Sequence, residues 1–213
     1  MDMIERHSLR FAGLTIEHDR RVLEPRPWTE LQSRWAAELL EAAPDGPLVE
    51  LCSGAGHIGL AAASLSGRSI VCVDLDPVAC YFTRLNADGA DLGHRVEVRE
   101  GSLETSLADD EVFALAIADP PWVVTTEVTR FPDDPILAID GGPGGLDVAH
   151  ACVRACQGHL EPGGSLLLQL GDDDQVDQVA ATAAEAGWQE QGRRHAGAGI
   201  GTSGGVVVRL LHP

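Results

Sequence analysis

Hydrophobic positions along this chain fall into two alternating kinds of run. From residue 28 onward, short unbroken apolar stretches separate longer segments in which apolar residues recur every three or four positions. Trp28 to Ala43 carries Leu31, Trp35, Leu39 and Leu40 on one helical face and closes at the turn Pro44-Asp45-Gly46-Pro47. PLVELC (47–52) predicts a strand, HIGLAAASL (57–65) a helix and SIVCVDL (69–75) a second strand. Asp76-Pro77 offers a capping side chain and a first-turn proline to a helix carrying Val78, Phe82 and Leu85. Strands over RVEVRE (95–100) and VFALAIA (112–118) follow, then a helix near 145–159, a strand at 165–170, a helix at 174–186 and a strand at 206–211. The unbroken apolarity of VFALAIA suits a parallel strand covered on both faces. This alternation predicts a doubly wound α/β domain on a parallel sheet over 28–213. Residues 1–27 differ. There FAGLTI and RVLE, joined by the polar Glu17-His18-Asp19-Arg20, predict a short N-terminal β-hairpin extension between Leu9 and Val22.

A length of 213 residues suits one domain with a small extension. The formal charge is −18, from 15 basic and 33 acidic residues, and every basic residue is Arg. Such a chain is a poor unaided partner for nucleic acid, because phosphate contacts need clustered cations. The five cysteines form no CxxC pair and sit mostly among apolar residues, as reduced thiols of a cytoplasmic protein do. No signal peptide or membrane-length apolar run is present, so a soluble protein without membrane contacts is expected. No metal site is expected either: His150, Cys152 and Cys156 do not share one helical face. The glycine-rich run Ala196 to Gly205 precedes a strand and lacks Lys, so it reads as a connector and not a phosphate loop.

Candidate chemistry begins between the first strand of this alternation and its helix, at Glu50-Leu51-Cys52-Ser53-Gly54-Ala55-Gly56-His57-Ile58-Gly59. Gly54 and Gly56 permit a tight turn and close approach of a ligand to backbone N–H groups. Asp74 ends the next strand, where a carboxylate can accept from ribose hydroxyls. The spacing Gly54-x-Gly56-x-x-Gly59 also fits a dinucleotide loop, so an NAD-dependent oxidoreductase is the alternative of different chemistry. Glu50 argues for another ligand. A carboxylate beside the loop repels a pyrophosphate and suits S-adenosylmethionine, which carries an ammonium and a sulfonium and no phosphate. His57 follows the loop, placed either to touch the ligand or to face solvent.

A second unusual stretch is Ala116-Ile117-Ala118-Asp119-Pro120-Pro121-Trp122, an apolar strand that ends on a carboxylate, two prolines and an indole. Proline removes backbone donors and fixes φ, so the chain is stopped here in a rigid shape.

Together these residues resemble class I methyltransferases, and more closely the HemK/PrmC glutamine methyltransferases. Val22-Leu23-Glu24-Pro25-Arg26-Pro27-Trp28-Thr29-Glu30 is similar to the family's VLIPRPETE segment, and Glu50 to Gly56 to its cofactor loop. Asp119-Pro120-Pro121-Trp122 takes the place of its NPPY, Pro135 to Leu146 resembles its PxxALxGGxDGL, and Leu160-Glu161-Pro162-Gly163-Gly164 follows before the fifth strand. The resemblance covers roughly residues 9–170 and implies a Rossmann-like class I methyltransferase sheet with S-adenosyl-L-methionine as cofactor and S-adenosyl-L-homocysteine as product. It implies a cofactor site formed by Thr29, Glu50, Cys52, Ser53, Gly54, Gly56, Asp74, Leu75, Ser102, Leu103 and Asp119, and a catalytic turn of Asp119, Pro120, Pro121 and Trp122. Arg26 is implied as a structural or gating residue.

In the family the Asn side chain and the carbonyl of the following Pro hold the hydrogens of the acceptor nitrogen, and the aromatic residue stacks on the planar substrate. Several departures bear on the substrate. Asp119 replaces the Asn, Trp122 the Tyr, Ser102 the acid near the adenine, Gly144 the Asp of the DGL element and Cys52 the first glycine. Asp119 accepts more strongly than an amide and can take up a proton after transfer. The helical domain by which bacterial members grip the release factor is not expected in this length, and a shorter branch of the family works with a small activator subunit. The expected acceptor is therefore an amino or amide nitrogen of a protein glutamine or a small molecule, with an activator subunit or a homodimer as partner. Amino-group methylation of an adenine or guanine base is the runner-up.

Overall fold

The computed structural model describes residues 5–197 and 204–212. Its central sheet has seven strands: β3 (Leu48–Leu51), β4 (Ile70–Asp74), β5 (Val96–Glu100), β6 (Phe113–Ala118), β7 (Leu160–Leu170), β8 (Gln189–His195) and β9 (Val206–Leu211). Their order is β5-β4-β3-β6-β7-β9-β8. The first five run parallel, while β9 is antiparallel to both β7 and β8. The expected parallel sheet holds for these five strands, and the antiparallel β9–β8 edge makes the whole sheet mixed. β8, with the sequence QEQGRRH, escapes an apolar pattern because it is an exposed edge strand. Its Arg193 is held by Asp173, Asp177 and Glu190.

Helices cover both faces. α1 (Glu30–Leu40), α2 (His57–Ser66) and α3 (Pro77–Gly89) share one apolar core with the alternate residues Leu115, Ile117, Leu167 and Val207 of the sheet. On the other face α5 (Asp147–Cys156) and α6 (Asp173–Glu185) pack on Val49, Leu51, Ala116, Ala118, Leu166 and Leu168. Every residue of β6 is buried, as its unbroken apolarity requires between two helical layers. A one-turn helix, α4 (Ile136–Ile139), precedes α5. Asp76 caps α3 by accepting from Val78 N–H at 2.8 Å, with Pro77 in the first turn.

The N-terminal hairpin pairs β1 (His7–Phe11) with β2 (Leu14–His18), so its turn is Ala12-Gly13 and not the polar Glu17 to Arg20. Ala12 and Gly13 both have positive φ, at 47° and 92°, as a two-residue hairpin loop requires. Alanine in that conformation gave no sign of a turn. Phe11 and Ile16 enter the α1–α3 core. Asn86 ties the hairpin to the glycine loop by accepting from Glu17 N–H and donating to the carbonyls of Glu17 and Ala55. Most of the glycine-rich connector, 198–203, lies outside the described residues.

Candidate functional site

The ends of β3, β4 and β6 meet at one cleft, where parallel α/β sheets hold their ligands. β3 leaves the sheet at Cys52, and three residues in left-handed conformations, Cys52 (φ 59°), Gly54 (54°) and Gly56 (78°), fold the chain back into α2. A non-glycine residue in that region costs about 1–2 kcal/mol, so Cys52 occupies a position suited to glycine, at the place where the resembled family has one. Ser53 N–H bonds back to Val73 O, and Thr83 holds Gly54 O.

Asp74 closes β4 and braces this loop, accepting from Gly54 N–H at 2.7 Å and Asp76 N–H at 2.9 Å. Burial raises its pKa against those two bonds. On the neighbouring strand Glu50 is only 2% exposed. It accepts from Gly59 N–H in α2 at 2.9 Å and from the Cys72 thiol at 3.5 Å. Burial pushes it up to about 8, and the nearby Asp74 and Asp119 add to the rise. A methyl group at position 59 would stand 2.3 Å from Glu50 Oε2, so α2 approaches the carboxylate only because that residue is glycine. Asp119 follows β6, half-buried, with no hydrogen-bond partner among the described residues, and burial pushes it up to about 7.

The turn after Asp119 is held by its neighbour loop. Val123 N–H bonds to Ile139 O, Gly141 N–H to Val123 O and Thr125 N–H to Gly142 O. A methyl at Gly141 would lie 2.8 Å from Pro121 O and one at Gly145 2.7 Å from Trp122 O. The Pro135–Leu146 segment therefore needs its glycines to lie flat against the turn.

The cleft itself encloses about 460 Å³. Of the expected residues, Cys52, Ser53, Gly54, Asp74, Leu75, Ser102, Leu103, Asp119 and Pro121 line it. Glu50, Gly56, Thr29, Pro120 and Trp122 do not. Glu50 acts from beneath, on the backbone of α2, and Gly56 packs behind the loop against Thr83. Thr29 is 1% exposed, and its hydroxyl donates to Arg26 O at 2.8 Å. That hydroxyl has one hydrogen, so its 3.2 Å contact with His57 Nε2 assigns the proton to Nε2 and leaves Nδ1 as a bare acceptor. His57 lines the cleft, stands edge-on to Phe11 and is pushed down to about 3 by burial. The Trp122 ring packs on the Gly171 backbone, where an added methyl would meet it at 2.7 Å, instead of offering an open platform.

Sequence reasoning missed much of the wall. Val22 and Leu23 line one side, Pro135, Leu137 and Ala138 another, and Asp147, Val148, Ala151 and Arg154 of α5 complete it. The first two groups lie inside the quoted resemblance segments, which was their available signal. Val148 and Ala151 have the spacing of an ordinary core-facing helix and carried none. Arg26 grips both oxygens of Asp134, at 2.7 and 2.8 Å, in a neighbouring depression that shares Val22 with the cleft. Two buried polar atoms at the cleft lack partners among the described residues, Ser53 Oγ and His57 Nδ1.

No family model matches the chain. Among curated proteins it is 30% identical over 171 residues to the release factor glutamine methyltransferase of Clostridium acetobutylicum, covering 77% of this chain and 60% of that protein. It is 34% identical over 208 residues to the enzyme of that name in Deinococcus radiodurans, covering 90% and 73%, and 32% identical over 189 residues to that of Streptomyces coelicolor, covering 84% and 66%. The chain thus spans roughly two thirds of the length of these relatives. In fold it resembles the catalytic domain of hMettl16 in complex with a MAT2A 3'UTR hairpin, with a TM-score of 0.75 at 14% identity over 94% of this chain and 76% of that one. The ribosomal protein L11 methylase of Lactobacillus delbrueckii subsp. bulgaricus gives 0.65 at 14% identity, over 90% and 81%. SMU.776 complexed with SAH gives 0.68 at 11%, over 99% and 56%. At these identities the likenesses establish the fold alone.

Proposed function

The chain belongs to the release factor glutamine methyltransferase family, and on that premise we propose that it is an S-adenosylmethionine-dependent N-methyltransferase of the cytoplasm. The observation that carries the cofactor is the pair Asp74 and Asp119, which line the cleft at the ends of the two strands flanking β3, neither bonded to a basic side chain among the described residues, with Glu50 buried beneath them. Such a floor attracts an ammonium and a sulfonium and repels the pyrophosphate of a dinucleotide. The apolar Leu75, Leu103 and Leu137 and the volume of the cleft suit the same molecule. When bound, the cofactor supplies a methyl group on sulfur; the protein's part is to place the receiving nitrogen in line with it.

In this reading the Asp119 carboxylate, which lines the cleft, accepts one hydrogen of the acceptor nitrogen; the Pro120 carbonyl, set back from the lining beside Pro121, is the implied second acceptor. The lone pair is thereby aimed at the methyl, and Asp119 takes the proton released by transfer. A group poised near 7 is well matched to that task. The acceptor is an amide or amino nitrogen of a protein glutamine or a small molecule. A nucleic-acid base is disfavoured because nine of the 15 arginines, at 6, 21, 26, 34, 68, 99, 130, 193 and 194, are already engaged with carboxylates.

Calorimetry tests the cofactor: S-adenosylhomocysteine should bind and NADH should not, and the reverse would remove the reading. Incubation with labelled methyl donor and fractionated cell extract then identifies the acceptor class. Asp74→Ala should weaken S-adenosylhomocysteine binding by about ten-fold or more, the scale of a hydrogen bond to a charged group. Unchanged affinity would withdraw the ribose assignment.

A further inference from the structure

The turn Asp119-Pro120-Pro121-Trp122 presents a mechanical problem. Its two prolines have no N–H, so the backbone between Asp119 and Trp122 cannot be anchored by donors of its own. The carbonyls on either side of Asp119-Pro120-Pro121 are anchored instead by side-chain amides from opposite faces of the sheet. On one face Gln32 of α1, fully buried, donates through Nε2 to Ala118 O at 2.9 Å and to Leu167 O at 3.0 Å. It thereby joins the last residue of β6 to β7 at the step before Asp119. On the other face Gln175 of α6 donates through Nε2 to Trp122 O at 2.9 Å, while its Oε1 accepts from Gly171 N–H at 2.8 Å. The same glycine forms the bed of the Trp122 ring.

We propose that Gln32 and Gln175 are positioning residues, a two-sided clamp that fixes the backbone direction from which the Asp119 carboxylate and the Pro120 carbonyl meet the acceptor nitrogen. The inference rests on the methyl-transfer reading of Asp119. Energetics favour orientation over stability as the role of Gln32. Its two hydrogen bonds stabilise the fold modestly, whereas its Oε1, buried without a partner among the described residues, costs a comparable amount. The two terms nearly cancel. An apolar side chain of similar length would serve the fold as well and would leave the end of β6 free to shift. A misplacement of about 1 Å at a reacting group is enough to cost roughly a hundred-fold in rate.

The test compares Gln32→Met and the half-buried Gln175→Met with the wild type in three measurements. These are S-adenosylhomocysteine affinity, the initial rate of labelled methyl incorporation into cell extract, and the Asp119 carboxyl titration followed by NMR with labelled aspartate and assigned with Asp119→Asn. A clamp predicts affinity within about two-fold of wild type, incorporation lowered by about ten-fold or more, and a displaced Asp119 midpoint in at least one variant. Wild-type incorporation together with an unmoved midpoint in both variants overturns it. If the wild type binds no S-adenosylhomocysteine, the methyltransferase reading fails separately. The clamp is then judged by the titration alone, a displaced midpoint upholding it and an unmoved one rejecting it.

Discussion

Asp119→Ala is expected to lower methyl-transfer turnover by about a hundred-fold or more, a larger effect than its loss from the cleft floor has on S-adenosylhomocysteine affinity. The asymmetry follows from the position of the carboxylate. It lines the cleft yet braces no backbone group among the described residues, unlike Asp74, which holds Gly54 and Asp76. Its removal therefore deprives the acceptor nitrogen of a partner and leaves the cofactor loop standing. The pH profile supplies a second signature. Burial raises Asp119 to about 7, so its charged, accepting form is gained as pH rises through that value. The wild-type kcat/KM should climb through an acidic limb near pH 7, which reports the free enzyme. Asp119→Asn keeps an acceptor oxygen and should lose that limb. A fully active Asp119→Ala variant would sink the mechanism, and an unaltered limb in Asp119→Asn would assign the titration to another group.

Where side chains obey a period, the fold was legible. β6 reads as FALAIA because both of its faces are covered, and α3 is announced by Asp76-Pro77 before any packing is known. Failure came where backbone conformation, not side-chain polarity, decides. The hairpin turns at Ala12-Gly13, where Gly13 is an ordinary turn residue but Ala12 at positive φ is not, while the polar Glu17 to Arg20 lies at and beyond the end of β2. β8 carries no apolar residue because it is an edge strand, with Arg193 matched to Asp173 and Asp177 on α6 and Arg194 to Glu38 on α1.

The candidate site divides on similar lines. Residues at strand ends, Asp74 and Asp119, are reached from the alternation of elements, and both line the cleft. Chemistry alone was a poorer guide for Glu50, Thr29 and Trp122, which are polar or aromatic but turned inward. Glu50 faces the N–H of Gly59, Thr29 stands behind His57, and Trp122 lies on Gly171. Each of those orientations depends on a contact more than eight residues distant in the chain, which no local pattern contains. The same holds for Gln32 and Gln175, whose partners are 86 and 53 residues away.

Glu50 leads to the other large effect: the ligand-free protein should lose stability as pH rises from about 6.5 to about 8. A glutamate normally titrates at 4.5, and here burial raises the folded-state value to about 8. Between those values the folded protein retains a proton that the unfolded chain has released, so raising the pH favours unfolding. His57 opposes this below 6.5. It is held neutral in the fold, down to about 3, so its contribution grows as pH rises to 6.5 and is constant beyond. Asp119, raised to about 7, acts in the same sense as Glu50 up to that value, so His57 offsets only part of the acidic slope, and Glu50 is dominant above about pH 7, with a loss of about 1 kcal/mol from there to pH 8. Glu50→Gln preserves an acceptor for Gly59 N–H and removes the titration, so its denaturation midpoint should stay nearly level over that window. A cationic ligand favours the ionised carboxylates, so S-adenosylmethionine should stabilise the wild type more at pH 8 than at pH 6.5. Denaturant melts at the two pH values, with and without the cofactor, check both signs. A wild-type midpoint that does not fall with pH would mean that Glu50 is already ionised in the fold, held by something other than Gly59 and Cys72.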